Sequence, residues 1–194
     1  QNDFTAGSVL LDGYSKPSGA QQISWWLSGG THQITAVNQD YGNIWRTYKY
    51  WYNVDDGITY PNPKTISAVA FTSHTANFDQ WCDISFSNSL PGGSGGTMSV
   101  RDTVRNAPGT VRMPKDQQFN ITAINQEIAR ISYTFSQWSD GNTSQSRSLT
   151  AAQHATYTAN FTSKPLPPAN VWVGGTVDDY VHLSWSAHPN QNVT

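Results

Sequence analysis

The string Gly92-Gly93-Ser94-Gly95-Gly96 satisfies the G-x-S-x-G spacing of serine hydrolases, in which a strained turn from strand to helix exposes the nucleophile. Here Pro91 precedes it and the strand-like Thr97-Met98-Ser99-Val100 follows, with no helical pattern in reach. The segment therefore reads as a flexible connector, and without a Lys-Ser/Thr ending it cannot cradle a nucleotide phosphate. The histidines at 32, 74, 154, 182 and 188 show no H-x-H or H-E-x-x-H spacing, so no pair is placed to share a metal. His74 falls on an apolar strand face and is expected to be packed and hydrogen-bonded. The pairs Asp55-Asp56 and Asp178-Asp179 have the chemistry for acid–base work or calcium. No nearby loop supplies the six to eight oxygens calcium wants, so they are read as turn residues capping amides. Cys82 is the single cysteine; it excludes an intrachain disulfide and reads as a small buried hydrophobe. No catalytic residue, metal ligand or cofactor is expected.

Aromatic residues carry the remaining chemical signal. Trp25, Trp26, Trp45, Tyr48, Tyr50, Trp51 and Tyr52 crowd a short stretch. Neighbours on a strand point oppositely, so one of Trp25 and Trp26, and one of Trp51 and Tyr52, must face outward. Trp25, Trp26, Trp45, Trp51 and Tyr52 are accordingly the candidate binding residues. Planar rings on a sheet stack on sugars or glue modules and subunits together, and packing between modules or in the core is the leading use. Arg101, Arg105, Arg112 and Lys115 read as a charged strand edge that blocks sheet-to-sheet pairing. Asn120, Asn142, Asn160 and Asn192 lie in N-x-S/T sequons whose frequency follows from Asn/Thr richness.

These residues must be positioned by sheets. The chain has 194 residues, 12% of them charged, 15 glycines and a net charge of -2. Roughly a third is Ser, Thr, Asn or Gln, so solubility rests on neutral polar side chains rather than on Lys/Glu-rich helices. The near-neutral charge offers no counterion release to drive nucleic-acid binding. No run reaches the roughly 18 apolar residues of a membrane helix. Gln1 fits either the mature end left by signal-peptide removal or an excised fragment.

The chain also repeats itself. Ile34-Thr35-Ala36-Val37-Asn38-Gln39-Asp40 returns as Ile121-Thr122-Ala123-Ile124-Asn125-Gln126-Glu127, and Thr75-Ala76-Asn77-Phe78 returns unchanged at 158–161. Between them Tyr48-Lys49-Tyr50 matches Tyr133-Thr134-Phe135, Asp56-Gly57 matches Asp140-Gly141, and Lys64-Thr65-Ile66-Ser67 matches Arg147-Ser148-Leu149-Thr150. Gly7-Ser8-Val9 has a looser counterpart in Gly96-Thr97-Met98. Period-two alternation sends Tyr157, Ala159 and Phe161 to one face. Each Asp-Gly is expected to turn a hairpin. The fold class expected is all-β: two small antiparallel modules, 1–84 and 85–163, then a Pro-rich linker and a partial β-sandwich segment over 164–194, where Val181, Leu183 and Trp185 alternate with polar residues.

Phe135-Ser136-Gln137-Trp138-Ser139-Asp140-Gly141, followed by Thr156-Tyr157-Thr158-Ala159-Asn160-Phe161, resembles the divergent internalin-type B-repeat of secreted and surface proteins of bacteria. The first module looks like a degenerate copy, with Tyr52-Asn53-Val54-Asp55-Asp56-Gly57 in place of the Trp-Ser-Asp-Gly string. The tail, Pro167-Pro168-Ala169-Asn170-Val171 through Val181-His182-Leu183-Ser184-Trp185, is similar to the first two strands of a fibronectin type III domain. The resemblance implies an extracellular or cell-surface location and a non-catalytic structural or adhesive array. Its partners would be neighbouring modules, other subunits or surface glycans. Two alternatives stand beside it: a filament subunit whose tail strand completes a neighbour's sheet, and a carbohydrate-binding accessory of a larger hydrolase.

Overall fold

The computed structural model describes residues 8–17, 27, 29–67, 72–167, 172–177 and 180–184. Among them no residue is helical and nearly all regular structure is antiparallel strand. The cause is local: short runs of Val, Ile, Thr and aromatics pack well on a pleated surface, and glycine or Asx turns interrupt them before a helical period develops. Trp25, Trp26, Asp178, Asp179, Trp185, His188 and Asn192 lie outside the described residues.

The first module's strands are β1 (Ser8–Leu11), β2 (Tyr14–Pro17), β3 (Thr31–Ala36), β4 (Gln39–Asp40), β5 (Trp45–Asn53), β6 (Thr59–Tyr60), β7 (Lys64–Ser67) and β8 (His74–Leu90). There follow β9 (Gly93–Ser94), β10 (Thr97–Val100), β11 (Thr103–Asn106), β12 (Gly109–Pro114), β13 (Gln118–Ala123), β14 (Gln126–Ile128), β15 (Ile131–Trp138), β16 (Ser146–Thr150) and β17 (Ala155–Pro165). A hairpin of β18 (Trp172–Val177) and β19 (Tyr180–Ser184) ends the described chain.

The chain forms two compact units. The first comprises 1–84 with 111–117 and 150–155, and the second 85–110, 118–149 and 156–194. Two short segments of the second repeat thus cluster with the first unit. Linear repeat matching cannot see such a loan, which is made in space.

In the first unit a four-stranded sheet, β2-β1-β3-β7, faces strands β5 and β8. Val9, Leu11, Ile34 and Ala36 meet Trp51, Ala76 and Phe78 in one buried cluster. Each large apolar side chain removed from water there contributes about 1.5–3 kcal/mol. The second unit repeats the arrangement with β11-β10-β13-β16 and with β15 beside β17. Met98, Val100, Ile121 and Ala123 are buried in it, as are Tyr133, Trp138, Ala159 and Phe161.

The likeness extends to register. Val9 opposes Ala36 as Met98 opposes Ala123, and Leu11 opposes Ile34 as Val100 opposes Ile121. Tyr48, Tyr50 and Trp51 oppose Phe78, Asn77 and Ala76, and Phe135, Gln137 and Trp138 oppose Phe161, Asn160 and Ala159. Both ladders carry a bulge at the same point, Lys49 in one and Ser136 in the other. The side chain of Asn38 accepts the Tyr48 amide at 2.7 Å, and that of Asn125 accepts the Phe135 amide at 2.8 Å. Gln39 and Gln126 likewise accept the amides of Ser8 and Thr97. One ancestral module was copied, and both copies keep the same strand order and pairing.

This register revises three expectations. Tyr48 corresponds to Phe135, not Tyr133, so Trp51 stands where Trp138 stands. The first copy therefore keeps the motif tryptophan, and extra residues separate it from Asp56-Gly57. Each Asp-Gly makes a positive-φ turn, with Gly57 at 70° and Gly141 at 83°, but not a hairpin between long strands. The strands that follow, β7 and β16, cross to the other sheet and pair with β3 and β13; only the two-residue β6 returns along β5. Nor is the glycine-rich stretch a loose connector. Pro91-Gly92 turns the chain, and Ser94 and Gly93 pair back with Ser89 and Leu90. The Asn88 amide donates to the carbonyls of Gly95 and Thr97. Gly96, at φ 75°, leaves so little room that a Cβ would stand 2.1 Å from Gln126 Oε1. Ser94 lies on a two-residue strand with no helix after it, so the strained elbow of a hydrolase nucleophile is missing there.

Candidate binding face on the first unit

Strand β8 buries alternate residues, Ala76, Phe78, Cys82 and Ile84, and turns Thr75, Asn77, Asp79, Trp81 and Asp83 to a partly exposed face. The partners of that outer row on β5 are Tyr52, Tyr50, Thr47 and Trp45. Residues directly opposed in an antiparallel ladder share a face, so Trp45, Trp81, Tyr50 and Tyr52 lie together on the outside of one sheet. Tyr52 is 38% exposed; Trp45, Tyr50 and Trp81 are half-buried.

The bulge at Lys49 decides which aromatics these are. Strict alternation from an outward Trp45 sends Trp51 outward as well. A bulge adds one residue to one strand and shifts its phase, so Tyr50 and Tyr52 turn out and Trp51 turns in. Trp51 is 1% exposed and donates its indole N–H to Asn62 Oδ1 at 3.2 Å. It is a core residue, which corrects its candidacy as a binding residue. Trp81 and Tyr50 complete the face, and sequence reasoning missed both as candidates. Their alternation with polar residues was visible, but the cross-strand register that groups them was not.

Hydrogen bonds hold the two indoles. Trp45 donates to Asp83 Oδ2 at 3.0 Å, and Trp81 donates to Thr47 Oγ1 at 2.9 Å. Arg112, from one of the two borrowed segments, donates from Nε and Nη2 to the two oxygens of Asp83 at 2.7 and 2.9 Å. Its guanidinium lies 4.9 Å from the Trp45 ring centre. These bonds hold the Asp83 carboxyl below its ordinary range. Further along, Lys49 pairs with Asp79 at 2.9 Å, and that bond raises the ammonium's pKa. Arg112 is thus not a bare edge charge but one partner in a planar, two-point ion pair.

The nearest approach to a reactive centre is His154, also within the first unit. Its Nδ1 accepts the Asp83 amide at 2.8 Å, which places the ring proton on Nε2, 3.4 Å from Asp40 Oδ1. With Nδ1 committed to a backbone amide and the Asp83 oxygens filled by Arg112 and Trp45, the cluster has the bonding of a structural clamp. Among the described residues no three His, Cys, Asp or Glu side chains converge as a metal site. Asp55 accepts the Ser73 amide and Asp56 accepts the Ile58 amide and the Asn53 side chain. Cys82 is buried, its thiol pKa raised by desolvation, and it donates to Ala151 O. In the second unit a shallow groove of about 370 Å³ is lined by Ser85, Ser87, Thr110 and Thr156 beside Phe86 and Pro108. It contains no titratable side chain.

No family model, curated protein or solved structure matches this chain. Its own second copy supplies the comparison instead. Through the shared register, Trp45, Tyr50, Tyr52 and Trp81 of the first unit correspond to Ser132, Gln137, Ser139 and Lys164 of the second. The same fold forms without those rings.

Proposed function

We propose that the chain is a non-catalytic segment of an extracellular β-module array, with the β5–β8 face of its first unit as the adhesive patch. One observation carries the reading: four aromatic side chains share an outer sheet face at positions where the duplicate folds with Ser, Gln, Ser and Lys. Exposed aromatics that folding does not require favour a partner. The non-catalytic part is supported by the Asp83 oxygens being filled by Arg112 and Trp45, by the commitment of His154 Nδ1 to a backbone amide, and by the hairpin setting of Ser94. The test moves the second unit's residues onto the first: Trp45→Ser, Tyr50→Gln, Tyr52→Ser and Trp81→Lys together. Labelled chain is applied to cellulose, chitin, bacterial sacculi and collagen-coated beads. The native chain is expected to be retained on at least one surface and the variant to be released from it with its circular dichroism unchanged. Equal retention of both, or retention of neither, overturns the proposal.

A further inference from the structure

The geometry points to a neutral polysaccharide as the occupant of this face, an inference that rests on the adhesive reading above. The rings stand in two groups: Trp45 opposite Trp81 at one end, Tyr50 and Tyr52 at the other. At about 3.3 Å per residue the groups are roughly 15 Å apart along the strand, long enough for a polymer rather than a single sugar. A pyranose ring presents an apolar C–H face that suits an aromatic plane and an equatorial rim of hydroxyls that needs hydrogen bonds. The ground between the rings supplies those bonds through Thr47, Asn77 and the Lys49–Asp79 pair.

Charge separates this occupant from its rivals. The cations of the face are Lys49 and Arg112, paired across about 3 Å with Asp79 and Asp83, and a third anion, Asp40, stands opposite Trp45 and 3.4 Å from His154 Nε2. An anionic polymer finds no uncompensated cation there. An apolar protein surface would have to bury both ion pairs, at a desolvation cost their attraction does not repay. Hydroxyls leave the pairs wet and bond to their remaining lone pairs. Lys49 and Asp79 remain 53% and 47% exposed, so both are within reach of a ligand. The indole N–H bonds hold two of the rings in place beforehand, which lowers the ordering cost of binding.

The experiment is native affinity electrophoresis of the whole chain in gels containing hydroxyethylcellulose, galactomannan or xyloglucan, with polygalacturonate and heparin gels alongside. At least one neutral polymer is expected to retard the chain, with the effect unchanged between about 0.05 and 0.5 M salt. Trp81→Lys should weaken that retardation about tenfold or more. Tyr52→Ser, an exposed change that keeps the fold, should weaken it as well, while Ser139→Ala at the equivalent place in the second unit should not. Retardation by the anionic polymers alone, abolished by salt, overturns the inference. So does retention on collagen-coated beads with no retardation in any neutral gel, a result that leaves the adhesive reading standing. Failure in the gels and on every surface removes both.

Discussion

Trp51 and Tyr52 are chain neighbours of similar size with opposite fates. The indole of Trp51 is buried and hydrogen-bonded to Asn62, whereas the phenol of Tyr52 is 38% exposed. Truncating a core tryptophan loses both its transfer free energy and the packing around the cavity, about 3–5 kcal/mol. Trp51→Ala, and Trp138→Ala in the second copy, should each lower the unfolding free energy from urea titration by that much, while Tyr52→Ala leaves it nearly unchanged. A second residue-scale prediction concerns His74, which occupies the place of Tyr157. Burial, helped by the nearby Lys64 charge, pushes its imidazole from 6.5 down to about 4. The unfolded chain therefore takes up a proton that the folded chain refuses. The resulting stability is complete above about pH 6.5 and is lost progressively as the pH falls toward about 4. His74→Tyr, which borrows the residue of the second copy, should flatten that part of the melting temperature–pH curve.

At the scale of the element, the bulge in β5 acts as a phase switch. Tyr48 on one side of Lys49 and Trp51 on the other both reach the core cluster, three residues apart where alternation permits only even separations. Asn38 closes the bulge by accepting the Tyr48 amide. Deleting Lys49 leaves Tyr48 and Trp51 two residues apart and in phase, so a regular ladder keeps both on the core face and their partners on β8 unchanged. Hydrogen exchange is therefore expected to show β5 and the first half of β8 keeping their protection in that deletion, with β15 and β17 unaffected. Asn38→Ala should weaken the same region by about 0.5–1.5 kcal/mol, the usual worth of one hydrogen bond. The invariance of the whole device between copies, Asn125 on Phe135 included, shows that it belongs to the module and not to the aromatic face.

For the molecule as a whole, the duplication is its own control. Two copies with one strand order and one register tolerate different outer faces: Ser132, Thr134 and Gln137 on β15 and Ser139 just after it, against Trp45, Thr47, Tyr50 and Tyr52 on β5. Most positions of the core rows keep their size and polarity, because they fill a closed space between two sheets; Arg46 against Tyr133 and His74 against Tyr157 are the exceptions. The outer rows are free to diverge, and in the first copy they acquire rings and paired charges. The quadruple replacement on the first unit should therefore still unfold cooperatively in urea. Its stability should be lower by about 1 kcal/mol for each half-buried indole removed, since only part of each ring leaves water on folding. Complete unfolding of that variant would mean the rings hold the module together rather than serve a partner.

The sequence by itself determined the all-β class, the duplication, the pairing of the Thr-Ala-Asn-Phe strings and the burial of Cys82. These follow from periodicity, composition and repeated strings, which are properties of neighbouring residues. It also marked the aromatic crowding of the first copy. Only the tertiary structure decided which of those aromatics share a surface, because one bulge inverts the phase of every residue beyond it. Arg112 came to lie over Trp45 through a segment lent from the second repeat. Turns with the same Asp-Gly dipeptide crossed between sheets because the partner strand lay there, and glycines with the composition of a linker were pinned by Asn88 and Gln126. Such outcomes depend on contacts between residues tens of positions apart, and no local pattern encodes them.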